Sequence, residues 1–451
     1  MSKHLIQNAT LVNEGVSYHA DVLLSGQFIE KIIKPENASL GEEFLSGVLK
    51  TDAKGLLLMP GAIDDQVHFR EPGLTHKGTI YSESRAAAAG GVTSFMEMPN
   101  TNPQTINFKE LESKFQIAAN DALVNHSFYF GATNENSHLV ADVDVKNVCG
   151  VKVFMGSSTG NMLVDKEEAL ERIFKNSKTL VATHCEEEQI VRSNIQKYKE
   201  KYGEDIPFHL HPVIRSTEAC YASSSKAVAL AKKHDARLHV LHLSTQKELA
   251  LFEKNKDISQ KRITAEACIH HLWFSEKDYR DKQQWIKWNP AVKTEADRQA
   301  IFNALSDGSI DVIATDHAPH SITEKSKGYL NCPSGGPLVQ HSIVAMLDFC
   351  EQGLISIERI VELMCHNPAI LFQVHKRGYI REGYYADLVL VNPLNTQKVA
   401  KDNLLYHCGW SPFEGHQFSN QIHSTFVNGE VVYKEGEIFN QSSAMALTFN
   451  R

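Results

Sequence analysis

From Leu56 onward, short runs of β-branched and aromatic residues alternate with longer stretches of helical composition. Eight of the apolar runs form a series: GAIDDQVHF to His68, TSFMEMPN to Asn100, HSFYFGATN, GVKVFMG around Lys152, TLVATH to His184, RLHVLH to His242, RITAEACIHH, and IDVIATD to Asp316. Between them lie IYSESRAAAAGG, NFKELESKFQIAANDAL, KEEALERIFKNS, STEACYASSSKAVALAKKHD and TEADRQAIFNALSDG. Strands alternating with helices predict parallel βαβ units, and eight such repeats close a TIM-type (β/α)8 barrel of the α/β class. We assign it to residues 56–375. Polar residues recurring at the strand ends mark the expected catalytic face.

The two chain ends follow another rhythm. Residues 1–55 and 376–451 carry short alternating segments such as ADVLLSGQFIEKII, ADLVLVNP and STFVNGEVVYKEG, with Asn428-Gly429 as a hairpin signal. The two ends are expected to pair into one small β-sandwich domain beside the barrel.

Composition removes several function classes. Among 451 residues, 46 Lys plus Arg stand against 54 Asp plus Glu, a net charge of −8. Nucleic acid and membrane surfaces call for clustered positive charge, so neither is an expected partner. No apolar stretch approaches the ~20 residues that cross a bilayer, and the N-terminus lacks a secretory core. A soluble, cytoplasmic protein is expected. The eight cysteines include no CxxC pair, which points to reduced, mostly buried thiols.

The densest chemistry lies in Asp64-Asp65-Gln66-Val67-His68-Phe69-Arg70. If the strand stays extended, Asp64, Gln66, His68 and Arg70 project together into the barrel mouth, with Asp65 on the opposite face. Alone, His68 reads first as a hydrogen-bonded core histidine and Arg70 as a surface charge. His184, His242 and Asp316 change that balance, because imidazole and carboxylate at separate strand ends suit a catalytic zinc with an open coordination position.

Lys152 places an ammonium inside an apolar strand, where an unpaired charge is costly. Snorkelling to the rim or pairing with a carboxylate would explain it. So would loss of its proton and uptake of carbon dioxide as a carbamate that bridges two metals. Asp316 could bind metal and also carry a proton from water to a departing nitrogen. Arg70, Asn100 and His320 could hold a substrate carboxylate. Asn289, before Pro290, serves equally as a turn former, and Gly335 lets backbone approach a ligand closely.

In this order, PGAIDDQVHFREPG, AAAAGGVTSFMEMPNTNP, GVKVFMG, THCEEE, HLST, WNP and TDHAPH resemble the amidohydrolase superfamily and, within it, the dihydroorotases. The resemblance runs from about Gly55 to Pro412. It implies a barrel with a binuclear zinc centre that interconverts N-carbamoyl-L-aspartate and L-dihydroorotate in pyrimidine biosynthesis. It also implies His68, Lys152 as a carbamate, His184, His242 and Asp316 as metal ligands. Asp316 would double as general acid and base, with Arg70, Asn100, Asn289 and His320 contacting a small-molecule substrate. Barrel enzymes of this kind often dimerise, so a homodimer is expected, although no segment marks an interface.

The chain departs from the family pattern at Gln66, where relatives carry the first histidine of His-x-His. A glutamine carbonyl is a weaker zinc ligand than imidazole. Three outcomes stay open: two zinc ions with Gln66 as a weak ligand, one zinc held by Lys152, His184 and His242, or an impaired enzyme. Lys293 and Gln340 stand where an arginine and a glutamate are common. Allantoinase or another cyclic amidohydrolase is the competing activity. A silent scaffold subunit for an aspartate transcarbamoylase is the competing class.

Overall fold

The computed structural model describes residues 2–36, 47–156 and 162–451. All eight anticipated strands form within it: β1 (Ala62–Val67), β2 (Val92–Glu97), β3 (Asn125–Gly131), β4 (Gly150–Phe154), β5 (Val181–His184), β6 (Leu238–Val240), β7 (Ile263–Cys268) and β8 (Val312–Ala314). They pair in parallel in sequential order. The cylinder is drawn together where β1 runs out beside the end of β8: the His68 N–H donates to the His317 carbonyl at 2.7 Å. The result is the eight-stranded, barrel-like parallel sheet that the alternation predicts.

The connecting helices begin and end where their capping residues stand. Asn107 accepts from the Glu110 N–H to open Phe108–Asp121, and Ser216 does the same from Ala219 to open Thr217–His234. Thr294 opens Glu295–Asp307, and Gly308 in the left-handed region closes it. Such caps satisfy backbone groups that the helix itself leaves open.

The terminal segments join one nine-stranded mixed sheet. Lys3–Asn13 pairs antiparallel with Val16–Ser25 and parallel with Leu57–Pro60. Leu57–Pro60 pairs antiparallel with Leu388–Asn392, which continues to Gln421–Val427 and Glu430–Lys434. Asn428 and Gly429 have φ of 48° and 84°, the two positive values that a two-residue hairpin turn requires. At the opposite end of the barrel from the strand C-termini, Leu447 and Phe449 pack into the cluster containing Ile63, Tyr129 and Phe372. All eight cysteines are unpaired, and seven are buried. Among the described residues no helix is long and apolar enough to cross a membrane.

Candidate active site

At the C-terminal ends of the barrel strands a cavity of about 420 Å³ opens, and all eleven candidates taken from the sequence line it: Gln66, His68, Arg70, Asn100, Lys152, His184, His242, Asn289, Asp316, His320 and Gly335. They come from strands and loops spread over 270 residues. Three depart from ordinary backbone geometry, with φ of 74° at Arg70, 40° at His242 and 48° at Asp316. Left-handed conformations at non-glycine residues cost about 1–3 kcal/mol each. Here they turn the chain as it leaves β1, β6 and β8.

The imidazoles are held in defined tautomers. His68 Nδ1 donates to Asn100 Oδ1 at 2.7 Å, leaving the Nε2 lone pair 3.3 Å from Asp316 Oδ1. Burial, with help from Arg70 and Lys152, holds the His68 pKa well below its ordinary value. His184 Nε2 donates to Glu186 Oε2 at 3.0 Å, so its Nδ1 lone pair faces His242 Nε2 at 2.9 Å. Burial lowers His184 and depresses His242 strongly. His242 Nδ1 is buried without a hydrogen-bond partner among the described residues. His68 and His184 thus each keep one ring nitrogen unprotonated, and neutral imidazoles are donors that a zinc ion takes.

Lys152 does not snorkel: it is 1% exposed. Burial brings its pKa down to about 8, even though Asp316 and Glu266 pull the other way. Burial also raises Asp316 to about 7 against Lys152, His184 and Arg70. Gln66 presents its amide N–H to Asp316 Oδ1 at 3.2 Å, with its carbonyl oxygen 3.7 Å from Cys268 Sγ.

Arg70, in the same cavity lining, donates through Nε to the Pro319 carbonyl at 3.0 Å, and its Nη2 lies 3.1 Å from His320 Nε2. His320 Nε2 lies 3.0 Å from the Ser334 carbonyl, and Nδ1 lies 3.2 Å from the Lys77 ammonium. Burial and the cations Arg70 and Lys77 keep that ring neutral. Asn289 Oδ1 is buried and has no hydrogen-bond partner among the described residues. Gly335 sits at φ 127°, where an added Cβ would lie 2.6 Å from the Ala318 carbonyl.

Asp64 and Asp65 depart from the expected strand alternation. A register shift between Asp64 and Val67 breaks it, as a bulge does. Asp64 lies outside the cavity lining and accepts from the Thr315 hydroxyl at 2.6 Å. Asp65 faces His239 Nε2 at 3.2 Å. With Glu266 these two form a fully buried Asp/His/Glu group whose chemistry suits a metal. Sequence reasoning also missed Arg215 and Glu186. Their ion pair, with Glu186 completely buried, fixes the orientation of His184. The only signal was the run of glutamates after His184.

The family model for the Amidohydrolase family matches residues 57–432. A dihydroorotase of Methanosarcina acetivorans is 32% identical over 96% of this chain and 92% of its own length. One from Halobacterium salinarum is 34% identical over 82% of this chain and 86% of its own. Among solved structures, the L-hydantoinase of Arthrobacter aurescens superposes with a TM-score of 0.91 at 24% identity. That match covers 99% of this chain and 100% of the other. A dihydropyrimidinase from Brevibacillus agri reaches 0.87 at 22% identity over the full length of both chains. The chain belongs to the Amidohydrolase family, and its enzyme class is that of a dihydroorotase-like cyclic amidohydrolase.

Proposed function

We propose that this protein is a zinc-dependent dihydroorotase, interconverting N-carbamoyl-L-aspartate and L-dihydroorotate. The observation that carries the reading is a buried guanidinium, Arg70, lining the same cavity as the His68, His184, His242, Lys152 and Asp316 group. A cyclic amide with a carboxylate substituent uses both halves. A plain hydantoin or dihydropyrimidine ring has no anion for Arg70 to hold. The dihydroorotase relatives support the same choice.

Zinc held by His184, His242, His68, Lys152 and Asp316 would supply a water of lowered pKa and a polarised ring carbonyl. Lys152 is suited to carbamate formation: its neutral amine attacks carbon dioxide and releases one proton, and burial makes that amine accessible near neutral pH. Asp316, whose carboxyl burial raises above its ordinary value, takes the proton of the attacking water and delivers it to the amide nitrogen as the ring C–N bond breaks. Ring closure reverses the order. Arg70 keeps its charge, because burial lowers its pKa only to about 10, and charge-assisted hydrogen bonds from it hold the substrate carboxylate. Asn100 holds the tautomer of His68, and Gln66 steadies Asp316 through its amide N–H.

Purified, zinc-loaded protein assayed in parallel with L-dihydroorotate, allantoin and hydantoin tests this reading. Dihydroorotate is expected to give the highest kcat/KM. A preference for allantoin or hydantoin refutes the substrate assignment, and no turnover of any of them favours the silent-subunit reading that Gln66 motivates.

A further inference from the structure

We propose that Asp65, His239 and Glu266 form an internal divalent-cation site, one layer deeper in the barrel than the catalytic centre, whose ion braces the backbone of His242. All three side chains are 0% exposed, and none lines the active-site cavity. His239 and Asp65 each stand three residues before a cavity-lining histidine on the same stretch of chain, His242 and His68. That places the group toward the N-terminal side of the candidate active site.

The tautomer of His239 can be read from its neighbour. Thr264 Oγ1 donates its single proton to the Leu238 carbonyl at 3.2 Å, so it accepts from His239 Nδ1 at 2.8 Å. A neutral His239 therefore turns its Nε2 lone pair toward Asp65 Oδ2 at 3.2 Å and Glu266 Oε2 at 3.7 Å. Asp65 Oδ1 and Oδ2, Glu266 Oε2 and His239 Nε2 are all buried without a hydrogen-bond partner among the described residues. Lone pairs converging on one buried point favour a cation or a donated proton between them.

A proton is the competing occupant. With no ion present the two carboxylates overcome burial and hold a proton on His239 up to about pH 9. A proton on Nε2 makes that nitrogen a donor, however, and leaves three carboxylate oxygens, Asp65 Oδ1 and Oδ2 and Glu266 Oε2, to share it. A tetrahedral ion with bonds near 2.1 Å spaces its ligands about 3.4 Å apart, and the two measured separations lie on either side of that value. Two carboxylate oxygens with one imidazole suit zinc, with manganese as the oxygen-preferring competitor.

The second oxygen of Glu266 supplies the consequence. Oε1 accepts from the His242 N–H at 2.9 Å, and His242 is held at φ 40°. An ion on Oε2 would lock the carboxylate that anchors this left-handed turn, as outer partners orient a metal ligand.

The test is anomalous diffraction at the zinc edge from crystals of unaltered protein grown with zinc, together with zinc content per chain. The expected map shows a peak bonded to Asp65, His239 and Glu266 in addition to density at His184 and His242. Asp65→Asn should lose one zinc per chain while the His184 and His242 ion stays. His239→Gln, which keeps hydrogen-bonding groups at the site, serves if Asp65→Asn does not fold. A map with no peak at the group overturns the proposal and assigns the site to a proton.

Discussion

Lys114→Met is the most informative single perturbation of the scaffold. Lys114 lies on helix Phe108–Asp121, yet its side chain is 1% exposed and its Nζ stands 2.6 Å from Glu97 Oε2, itself fully buried. It also donates to the Met98 carbonyl at 3.1 Å. Burial raises the Glu97 carboxyl and lowers the Lys114 ammonium, each offset by its partner. Removing the ammonium strands a buried carboxylate, which costs about 3–5 kcal/mol, or roughly two to three and a half powers of ten in the folding equilibrium. Glu97→Gln combined with Lys114→Met removes both charges and should recover at least ~2 kcal/mol, because contacting residues couple. Glu97 Oε1 also accepts from the Arg70 N–H at 3.1 Å, so the single variant should raise KM as well. Urea unfolding of the four proteins of this cycle, with KM on each folded one, is the assay. If Lys114→Met unfolds at the wild-type urea concentration, or if the two changes simply add, the buried-pair reasoning is wrong.

The remaining predictions concern the cavity and its supports. Arg70→Met removes a charge-assisted hydrogen bond worth about 1.5–3 kcal/mol, so KM should rise some tenfold or more with a smaller change in kcat; an unchanged KM refutes the carboxylate clamp. Asp316→Asn should lower kcat by about 10²–10⁴ with circular dichroism unchanged, and retained turnover would remove Asp316 from proton transfer. Gly335→Ala at φ 127°, with its Cβ 2.6 Å from the Ala318 carbonyl, should cost about 1–3 kcal/mol and weaken substrate binding measured by calorimetry. Burial opposes ionisation of Glu186, but Arg215 and His184 outweigh it and hold the pKa at about 2, against 4.5 ordinarily. A depressed folded-state pKa gives stability that is complete above about pH 4.5 and lost as pH falls toward 2. Metal-free Glu186→Gln should lack that component in acid unfolding, and identical acid profiles would contradict the assignment.

The barrel and its reactive rim were legible because both obey local rules. Each strand core is a short β-branched or aromatic run, and the residue that ends it had no apolar reason to be there, as at His184 and Asp316. Asn428-Gly429 announced its hairpin, and the helical stretches picked out by composition open in the structure at the capping residues Asn107, Ser216 and Thr294. Where the reading failed, a non-local cause intervened. Asp65 belongs to the barrel interior because of a register shift against β2, which no periodicity reveals. Nothing in the stretch NFKELESKFQIAANDAL singles out Lys114, whose partner Glu97 lies on a neighbouring strand. Arg215 reaches Glu186 across 29 residues of sequence, a separation with no spacing rule behind it.

Gln66 shows how the same position can be read through coordination or through hydrogen bonding. As a ligand, its carbonyl is weaker than an imidazole, and in the structure that oxygen lies 3.7 Å from Cys268 Sγ. As a donor, its amide does what a metal-bound imidazole does not: it holds Asp316 Oδ1 at 3.2 Å on the oxygen that His68 Nε2 also faces. One fewer nitrogen at the rim is thus accompanied by a carboxylate fixed from a second direction.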